Sequence, residues 1–183
     1  MWSDHGWKLG EHNGWCKQTN YEIDTRAPMM IRAPGAKANG QHCDSLVEFV
    51  DIYPTLCELA GLPAPAGLDG RSFVPTLRDP AAPTKDHTIH VYPRNAPGKG
   101  PVIGRAIRTE RYRLVEWKKI GEPAATAELE LYDYEADPLE RKNLAAAQPE
   151  IVAQLRALLA KHPEAKPQIS GALPAKKAGV PPK

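Results

Sequence analysis

The chain has 183 residues, a formal net charge of +2 and an apolar share of 42%. This length and composition allow one ordinary globular domain with a sizeable core. The small net charge and the scattered lysines and arginines argue against a nucleic-acid partner. The three cysteines, at positions 16, 43 and 57, include no Cys-x-x-Cys pair, so neither a zinc site nor a disulfide framework is indicated. No apolar run approaches the roughly 20 residues of a membrane helix, and no secretory signal pattern follows Met1.

The first 27 residues are polar and rich in glycine and aromatic residues, and they follow neither the strand period nor the helix period. They are predicted to form a loop with one helical turn. The apolar residues 28–33 are bounded by Pro28 and by Pro34-Gly35, which is typical of a buried strand.

Residues 35–44 have the composition of a surface turn, and apolar side chains then recur through residues 46–60. Pro54 is tolerated in a helix only within the first turn. We therefore predict, in chain order, a strand over 46–50, Asp51 as the N-cap, and a helix over 52–60 that ends at Gly61. The alternative is one kinked helix that begins at Ser45, where Glu48 would complete a capping box.

Residues 61–101 are rich in proline and glycine, which predicts long irregular connections with one strand at 88–92. Alternating apolar positions then predict three strands of an antiparallel sheet: 102–108, 112–118 and 128–134. Residues 109–111 have the length of a hairpin turn between the first two of these strands.

A helix is predicted from Pro149 to about residue 161, because its apolar residues recur at helical spacing. Its apolar face is expected to pack on the antiparallel sheet. Residues 163–183 contain mainly proline, alanine and lysine and are predicted to form a disordered tail.

The densest group of chemically active side chains lies in the opening loop. Asp4 offers a hard carboxylate oxygen and His5 an imidazole nitrogen, a pair that suits Ca²⁺, Mn²⁺, Mg²⁺ or Zn²⁺. Gly6 would permit the tight backbone geometry by which the two side chains converge. Two ligands do not make a closed metal site, and the plain alternative is a turn cap beside a surface imidazole.

Other side chains of the same loop suit an anionic substrate. Lys8 and Lys17 could each place a positive charge beside an oxyanion, although most lysines are simply solvated. Four further side chains could line a substrate pocket or assist the chemistry, with ordinary packing and local hydrogen bonding as the alternative: Trp7, Glu11, His12 and Trp15.

These residues resemble the second conserved block of type I sulfatases, which have an alkaline phosphatase-like fold, and they are most similar to the iduronate-2-sulfatase-like branch. The resemblance is carried by residues 3–12 (SDHGWKLGEH), Trp15, Lys17, Asn20, 25–28 (TRAP), 50–56 (VDIYPTL), 59–62 (LAGL), 68–72 (LDGRS), 106–113 (AIRTERYR), 130–133 (ELYD), 137–138 and 143–144. A series of blocks in the family order over most of residues 3–145 is far more specific than one motif.

The resemblance implies hydrolysis of a sulfate ester, on a sulfated small molecule or glycan, by a formylglycine made from a C/S-x-P-x-R motif. A divalent cation, usually Ca²⁺, would hold the sulfate oxygens. Carried over by position, Asp4 and His5 match metal ligands, and Lys17 matches the lysine that contacts the sulfate and stabilises the leaving oxygen. Three neighbours become candidate substrate-binding residues: Trp15, Glu11 and His12.

The sequence departs from the family pattern because no C/S-x-P-x-R motif occurs in its 183 residues, nor does the family's earlier pair of metal-binding aspartates. It therefore resembles the C-terminal part of such an enzyme. The expected fold class is α/β, with the C-terminal remainder of the catalytic domain over 1–100, a small subdomain of antiparallel sheet plus helix over 101–162, and the tail over 163–183. The isolated polypeptide is expected to be inactive and poorly stable or aggregated, because missing strands leave sheet edges and apolar faces exposed.

Two alternatives stay open. Phosphonate monoester hydrolases and phosphodiesterases of the same superfamily share the Asp-His-Gly motif, and a non-catalytic interaction module would use the sheet, the last helix and the basic tail. For a full-length sulfatase, the resemblance indicates a periplasmic or extracellular location.

Overall fold

Two antiparallel sheets and four helices organise residues 1–98 and 100–166, the part of the chain that the computed structural model describes. In chain order the elements are β1 (Lys8–Leu9), β2 (Trp15–Cys16), α1 (Glu22–Thr25), α2 (Ile52–Leu59), α3 (Val74–Arg78), β3 (His87–Ala96), β4 (Gly100–Thr109), β5 (Tyr112–Lys118), β6 (Glu128–Asp133) and α4 (Pro149–Leu159). Short 3-10 turns occur at Glu11–Asn13, Phe49–Asp51 and Ala124–Thr126.

The larger sheet has four strands in the order β3-β4-β5-β6, and every neighbouring pair is antiparallel. In the centre of the sheet, Ala106 lies opposite His90 on one side and Val115 on the other. The predicted antiparallel sheet is therefore confirmed, and the strand predicted at 88–92 is longer than expected because it pairs with the whole of β4.

The helix α4 covers one face of this sheet. Pro149 occupies the first turn, where its missing N–H costs no hydrogen bond. The apolar core on this face joins three strands to the helix through Ile107, Leu114, Leu131, Val152, Leu155 and Leu159. Burial of these side chains is the main stabilising contribution of this part of the fold, and the predicted packing of the helix on the sheet is confirmed.

The opposite face of the sheet carries the opening segment of the chain. The apolar cluster on this face of the sheet consists of Ala96, Val102, Ala106, Val115 and Trp117. Leu114 and Val115 belong to different clusters because successive side chains of a strand point to opposite faces. Asn20 is buried against this second face, where its amide Nδ2 donates to the Gly104 carbonyl at 3.2 Å.

The strand predicted over residues 28–33 is wrong. Met29 makes only an isolated bridge with Trp2. At Ala33 the Asn39 side chain takes both backbone groups, since Oδ1 accepts from the Ala33 N–H at 3.2 Å and Nδ2 donates to the Ala33 carbonyl at 2.7 Å. A side chain thus satisfies the groups that a strand would pair.

The strand predicted over 46–50 is also wrong, whereas the predicted helix is confirmed as α2. Residues Phe49–Asp51 form a 3-10 turn that leads directly into α2. Glu48 precedes this turn, and its N–H donates to Asp51 Oδ2 at 2.8 Å. The helical region therefore starts three residues later than in the alternative prediction, a kinked helix from Ser45.

The predicted division of the chain into parts at residues 100 and 162 stays a prediction. The strand β3 precedes residue 100 and nevertheless belongs to the larger sheet. The predicted tail lies outside the described residues except for 163–166. Among residues 1–98 and 100–166, no helix has both the length and the apolar character required to cross a bilayer.

Candidate functional site

The Asp-His-Gly segment is fixed to α1 by backbone hydrogen bonds. The Gly6 N–H donates to the Asp24 carbonyl at 2.7 Å, and the Trp7 N–H donates to the Ile23 carbonyl at 3.1 Å. A Cβ atom on Gly6 would lie 1.8 Å from the Ile23 carbonyl oxygen. Gly6 is therefore required by close backbone contact with α1, and its φ does not lie in the left-handed region that a tight glycine turn would use.

Asp4 and Lys17 meet at the surface of this segment. Lys17 Nζ forms an ion pair with Asp4 Oδ2, and the Asp4 side chain is 79% exposed while that of Lys17 is 32% exposed. The hydrogen bond and the positive charge of Lys17 lower the pKa of Asp4. His5, next in the chain, is half-buried, with its Nδ1 atom 3.4 Å from the Gly6 carbonyl oxygen. The sequence-predicted Asp4, His5 and Lys17 thus lie in one small region.

The donor chemistry of Asp4 and His5 fits part of a divalent-metal shell. One exposed carboxylate and one imidazole from adjacent residues offer two ligands of the kinds that metals use. Residues 1–98 and 100–166 contain no group of three histidine, cysteine, aspartate or glutamate side chains that could hold a metal ion. Asp4 and His5 are therefore a two-ligand set within this part of the chain.

Lys8 does not serve as a free positive charge for an oxyanion. It is only 2% exposed and forms a buried ion pair with Asp24. Thr19 donates a second hydrogen bond to the same Asp24 oxygen. Removing Lys8 would leave a buried carboxylate without its counter-ion, so its role here is structural.

The three candidate substrate-binding neighbours have different surroundings. Trp15, in β2, is 69% exposed. Glu11 accepts a hydrogen bond from the Leu9 N–H at 2.6 Å, which lowers the pKa of the Glu11 carboxyl. His12 stacks on Tyr21 with 3.7 Å between ring centroids and 4° between ring planes. Glu11 and His12 make local contacts, and substrate roles for all three residues stay predictions.

His90 is a neighbour of the site that sequence reasoning missed. Its Nδ1 atom lies 2.6 Å from Asn20 Oδ1, which connects β3 to the loop after Lys17. Burial, followed by the positive charges of Arg113 and His5, lowers the pKa of His90 to about 4. Asn20 belongs to the family motif, but no pattern in the sequence indicates that His90, 70 residues away, is its hydrogen-bond partner.

Arg113, on β5, was missed as the residue that fastens the loop to the sheet. It is 2% exposed and donates to the Asn20 carbonyl, to Glu22 Oε2 and to Thr25 Oγ1. Burial alone would raise the pKa of Glu22, but the charges of Arg113 and Arg108 outweigh it and lower that pKa. The loop that carries Asp4 and Lys17 is thereby held against the face of the sheet opposite α4.

The opening loop with Asp4, His5 and Lys17 lies on a four-stranded antiparallel sheet that is backed by a C-terminal helix. Residues 10–165 match the family described as N-sulphoglucosamine sulphohydrolase, C-terminal. The chain therefore belongs to the sulfatase family and corresponds to the C-terminal region of its members.

Curated relatives agree with this assignment. The chain is 34% identical to arylsulfatase K of Rattus norvegicus over 154 residues, which cover 84% of this chain and 27% of the relative. It is 30% identical to iduronate 2-sulfatase of Mus musculus over 203 residues, covering 78% of this chain and 37% of that protein. The chain thus spans between 27% and 37% of the length of these relatives.

Solved structures agree with the fold. One protein in complex with its substrate D-glucosamine-2-N,6-O-disulfate superposes with a TM-score of 0.71 at 28% identity, over 87% of this chain and 32% of that one. The phosphonate monoester hydrolase of Agrobacterium radiobacter superposes with a TM-score of 0.67 at 27% identity, over 88% of this chain and 34% of that one. The predicted fold class, α/β as the C-terminal part of a sulfatase fold, is confirmed.

Proposed function

We propose that this chain supplies the C-terminal half of a sulfate-binding site in a sulfatase that acts on a sulfated sugar. Family membership supports sulfate ester hydrolysis as the reaction class. The observation that carries the proposal is the exposed ion pair of Asp4 and Lys17 beside His5. It gathers two metal-type donors and one cation within a single loop.

Asp4 and His5 would hold a divalent cation, with Ca²⁺ as the ion expected from the family. Such an ion would neutralise the sulfate oxygens and so favour attack by an oxygen nucleophile on sulfur. The attacking formylglycine would come from a C/S-x-P-x-R motif, which these 183 residues lack.

Lys17 would contact the sulfate group and stabilise the leaving oxygen. In the present structure its ammonium neutralises Asp4. With its carboxylate serving as a metal ligand, Asp4 would leave Lys17 Nζ available to donate hydrogen bonds to a sulfate oxygen. Its ammonium has three N–H donors, so it can hold the anion while negative charge builds on the leaving oxygen.

The substrate that we propose is a sulfate ester of a sugar. The support is that one structural neighbour was solved with a disulfated glucosamine as its substrate. The exposed Trp15 near the loop offers an apolar ring face of the kind on which sugars stack. A periplasmic or extracellular location for a full-length enzyme stays a prediction from the family.

The isolated chain is proposed to have no sulfatase turnover, because it brings neither the nucleophile motif nor a third metal ligand among its described residues. The test measures sulfate release from D-glucosamine-2-N,6-O-disulfate. The chain alone should release none. The chain joined to a sulfatase N-terminal region with a C/S-x-P-x-R motif should release sulfate, and Lys17→Ala should reduce that rate at least about 100-fold.

Lys37→Ala is the matched control, because Lys37 is also exposed but lies outside the opening loop. Sulfate release by the chain alone that disappears in Lys17→Ala would overturn the proposed inactivity. Equal rates for Lys17→Ala and Lys37→Ala in the joined protein would overturn the role of Lys17.

A phosphonate monoester or phosphate diester hydrolase is the second candidate, favoured by the match to the Agrobacterium radiobacter enzyme. Assaying the joined protein on bis(4-nitrophenyl) phosphate beside an aryl sulfate separates the two reactions.

A non-catalytic interaction module is the third candidate function. It predicts a monodisperse chain that melts cooperatively without added metal, whereas the sulfatase proposal predicts a chain that is poorly stable or aggregates alone.

A further inference from the structure

His87 and His162 direct their Nε2 atoms at each other where β3 meets the end of α4. The two nitrogens are 2.6 Å apart, and the rings lie at 85° with 4.9 Å between their centroids. A neutral imidazole has one N–H and one acceptor nitrogen, so this contact requires one ring as donor and the other as acceptor. Convergent imidazole nitrogens from two separate elements are also a donor set that suits transition metals.

The surroundings of His87 fit a metal ligand. A carboxylate oxygen of Asp86 lies 2.7 Å from His87 Nδ1, and the His87 side chain is 15% exposed. Among the described residues, that nitrogen has no well-aligned hydrogen-bond acceptor. A histidine that binds a metal through one nitrogen commonly donates the other N–H to a carboxylate, a role that a small rotation would give Asp86.

The backbone around His162 is held in place independently of its ring. Arg105 Nη2 donates to the Leu159 carbonyl at 2.8 Å and to the His162 carbonyl at 3.1 Å. The position of the His162 backbone is therefore set by Arg105 and does not depend on the contact between the two rings.

We propose that His87 and His162 form a two-histidine site for a borderline transition-metal ion such as Zn²⁺, with water completing the coordination shell. Zinc–nitrogen bonds of about 2.0–2.1 Å in a tetrahedral shell place two ligand nitrogens about 3.3 Å apart. The rings must therefore separate from 2.6 Å by only about 0.7 Å. Bound zinc would join the end of α4 to β3, 75 residues away in sequence.

This site is chemically distinct from the opening loop. Asp4 contributes a carboxylate to a site proposed for a hard cation, whereas two imidazoles favour zinc over calcium. Because the described part of the chain contains no group of three histidine, cysteine, aspartate or glutamate side chains that could hold a metal ion, zinc should remain removable by a strong chelator.

The experiment titrates Zn²⁺ into the full chain against a chromophoric chelator and repeats the titration with His87→Gln and His162→Gln. The native chain should take up one zinc, and each variant should bind it at least about tenfold more weakly. His42→Gln is the matched control, because His42 is an exposed histidine near Asp44 that lies elsewhere.

Each alternative result decides against the proposal. If His42→Gln weakens zinc binding as much as His87→Gln does, zinc binds the histidines of this chain indiscriminately, as it would in an unfolded chain. Absence of binding would mean that the two rings share only a hydrogen bond. If zinc binding is lost in the double variant Asp4→Asn, His5→Gln but not in His87→Gln, the zinc site is the opening loop. Chelator competition needs no cooperative melting, so a poorly stable chain still gives an answer.

Discussion

Arg113 and Glu22 form an ion pair across 91 residues of sequence, and through it the opening loop is bound to the central part of the sheet. The Arg113 side chain is 2% exposed, and its guanidinium also donates to Tyr134 Oη at 2.7 Å. The orientation of the loop that carries Asp4 and Lys17 therefore depends on a charged side chain in a strand far along the chain.

Replacing Arg113 with methionine should destabilise the protein by about 3–5 kcal/mol, because the buried Glu140 carboxylate loses the guanidinium 3.2 Å from it and Glu22 keeps only Arg108 as its counter-ion. Urea unfolding of the chain joined to a sulfatase N-terminal region, followed by circular dichroism, measures the loss. Arg141→Met is the control, since Arg141 is 74% exposed in its pair with Asp137 and should cost less than about 1 kcal/mol. A loss below 1 kcal/mol for Arg113→Met would show that the pair does not hold the loop.

The regular part of the fold followed from local patterns in the sequence. Alternating apolar residues identified β4, β5 and β6, because each strand buries one face against α4. Helical spacing from Pro149 identified α4 for the same reason. In contrast, residues 28–33 look like a strand by composition, but the side chain of Asn39 satisfies the Ala33 backbone groups. A local pattern holds no information about that competing partner.

The candidate site was predicted in part. The motif placed Asp4 and Lys17 together, and the ion pair between them agrees. The same reasoning offered Lys8 as an anion-binding charge, although burial against Asp24 commits it to the interior. His90 and Arg113 were missed because their contacts with Asn20 span 70 and 93 residues, and only the folded chain brings them together.

Gly6→Ala should damage the loop far more than an ordinary glycine substitution. The new Cβ would lie 1.8 Å from a backbone oxygen of Ile23, so α1 itself must move away. We expect a loss above about 2 kcal/mol in the free energy of unfolding. Gly40→Ala is the control: Gly40 has φ of 82° and open space around it, so its cost should be about 1–2 kcal/mol from the left-handed backbone alone. A smaller loss at Gly6 than at Gly40 would contradict the close-contact explanation.

The outer face of α2 should cause self-association of the chain. Tyr53 and Leu56 are 54% and 55% exposed, one helical turn apart, on a helix whose Cys57 is buried. Converting both exposed residues to lysine should leave the free energy of unfolding within about 0.5 kcal/mol per site and increase the monomer fraction in sedimentation velocity. Cys57→Lys, on the buried side, should unfold the helix. Unchanged sedimentation of the double variant would mean that another surface drives the association.

Stability should decrease as pH falls from 7 to 5, with His90 as one identifiable source. Its folded-state pKa of about 4 lies below the ordinary value of 6.5, so between these pH values the unfolded chain binds more protons than the folded one. Stability from His90 is therefore fully present above pH 6.5 and is lost as pH falls towards 4. The two pKa values correspond to a loss of about 2 kcal/mol in the free energy of unfolding between pH 7 and pH 5.

Urea unfolding at both pH values should show that the loss in the native chain exceeds the loss in His90→Gln by about this amount, since glutamine does not titrate. Because the other carboxylates and histidines titrate alike in both proteins, the difference isolates His90, and identical pH dependence in the two would show that His90 is not held neutral in the fold.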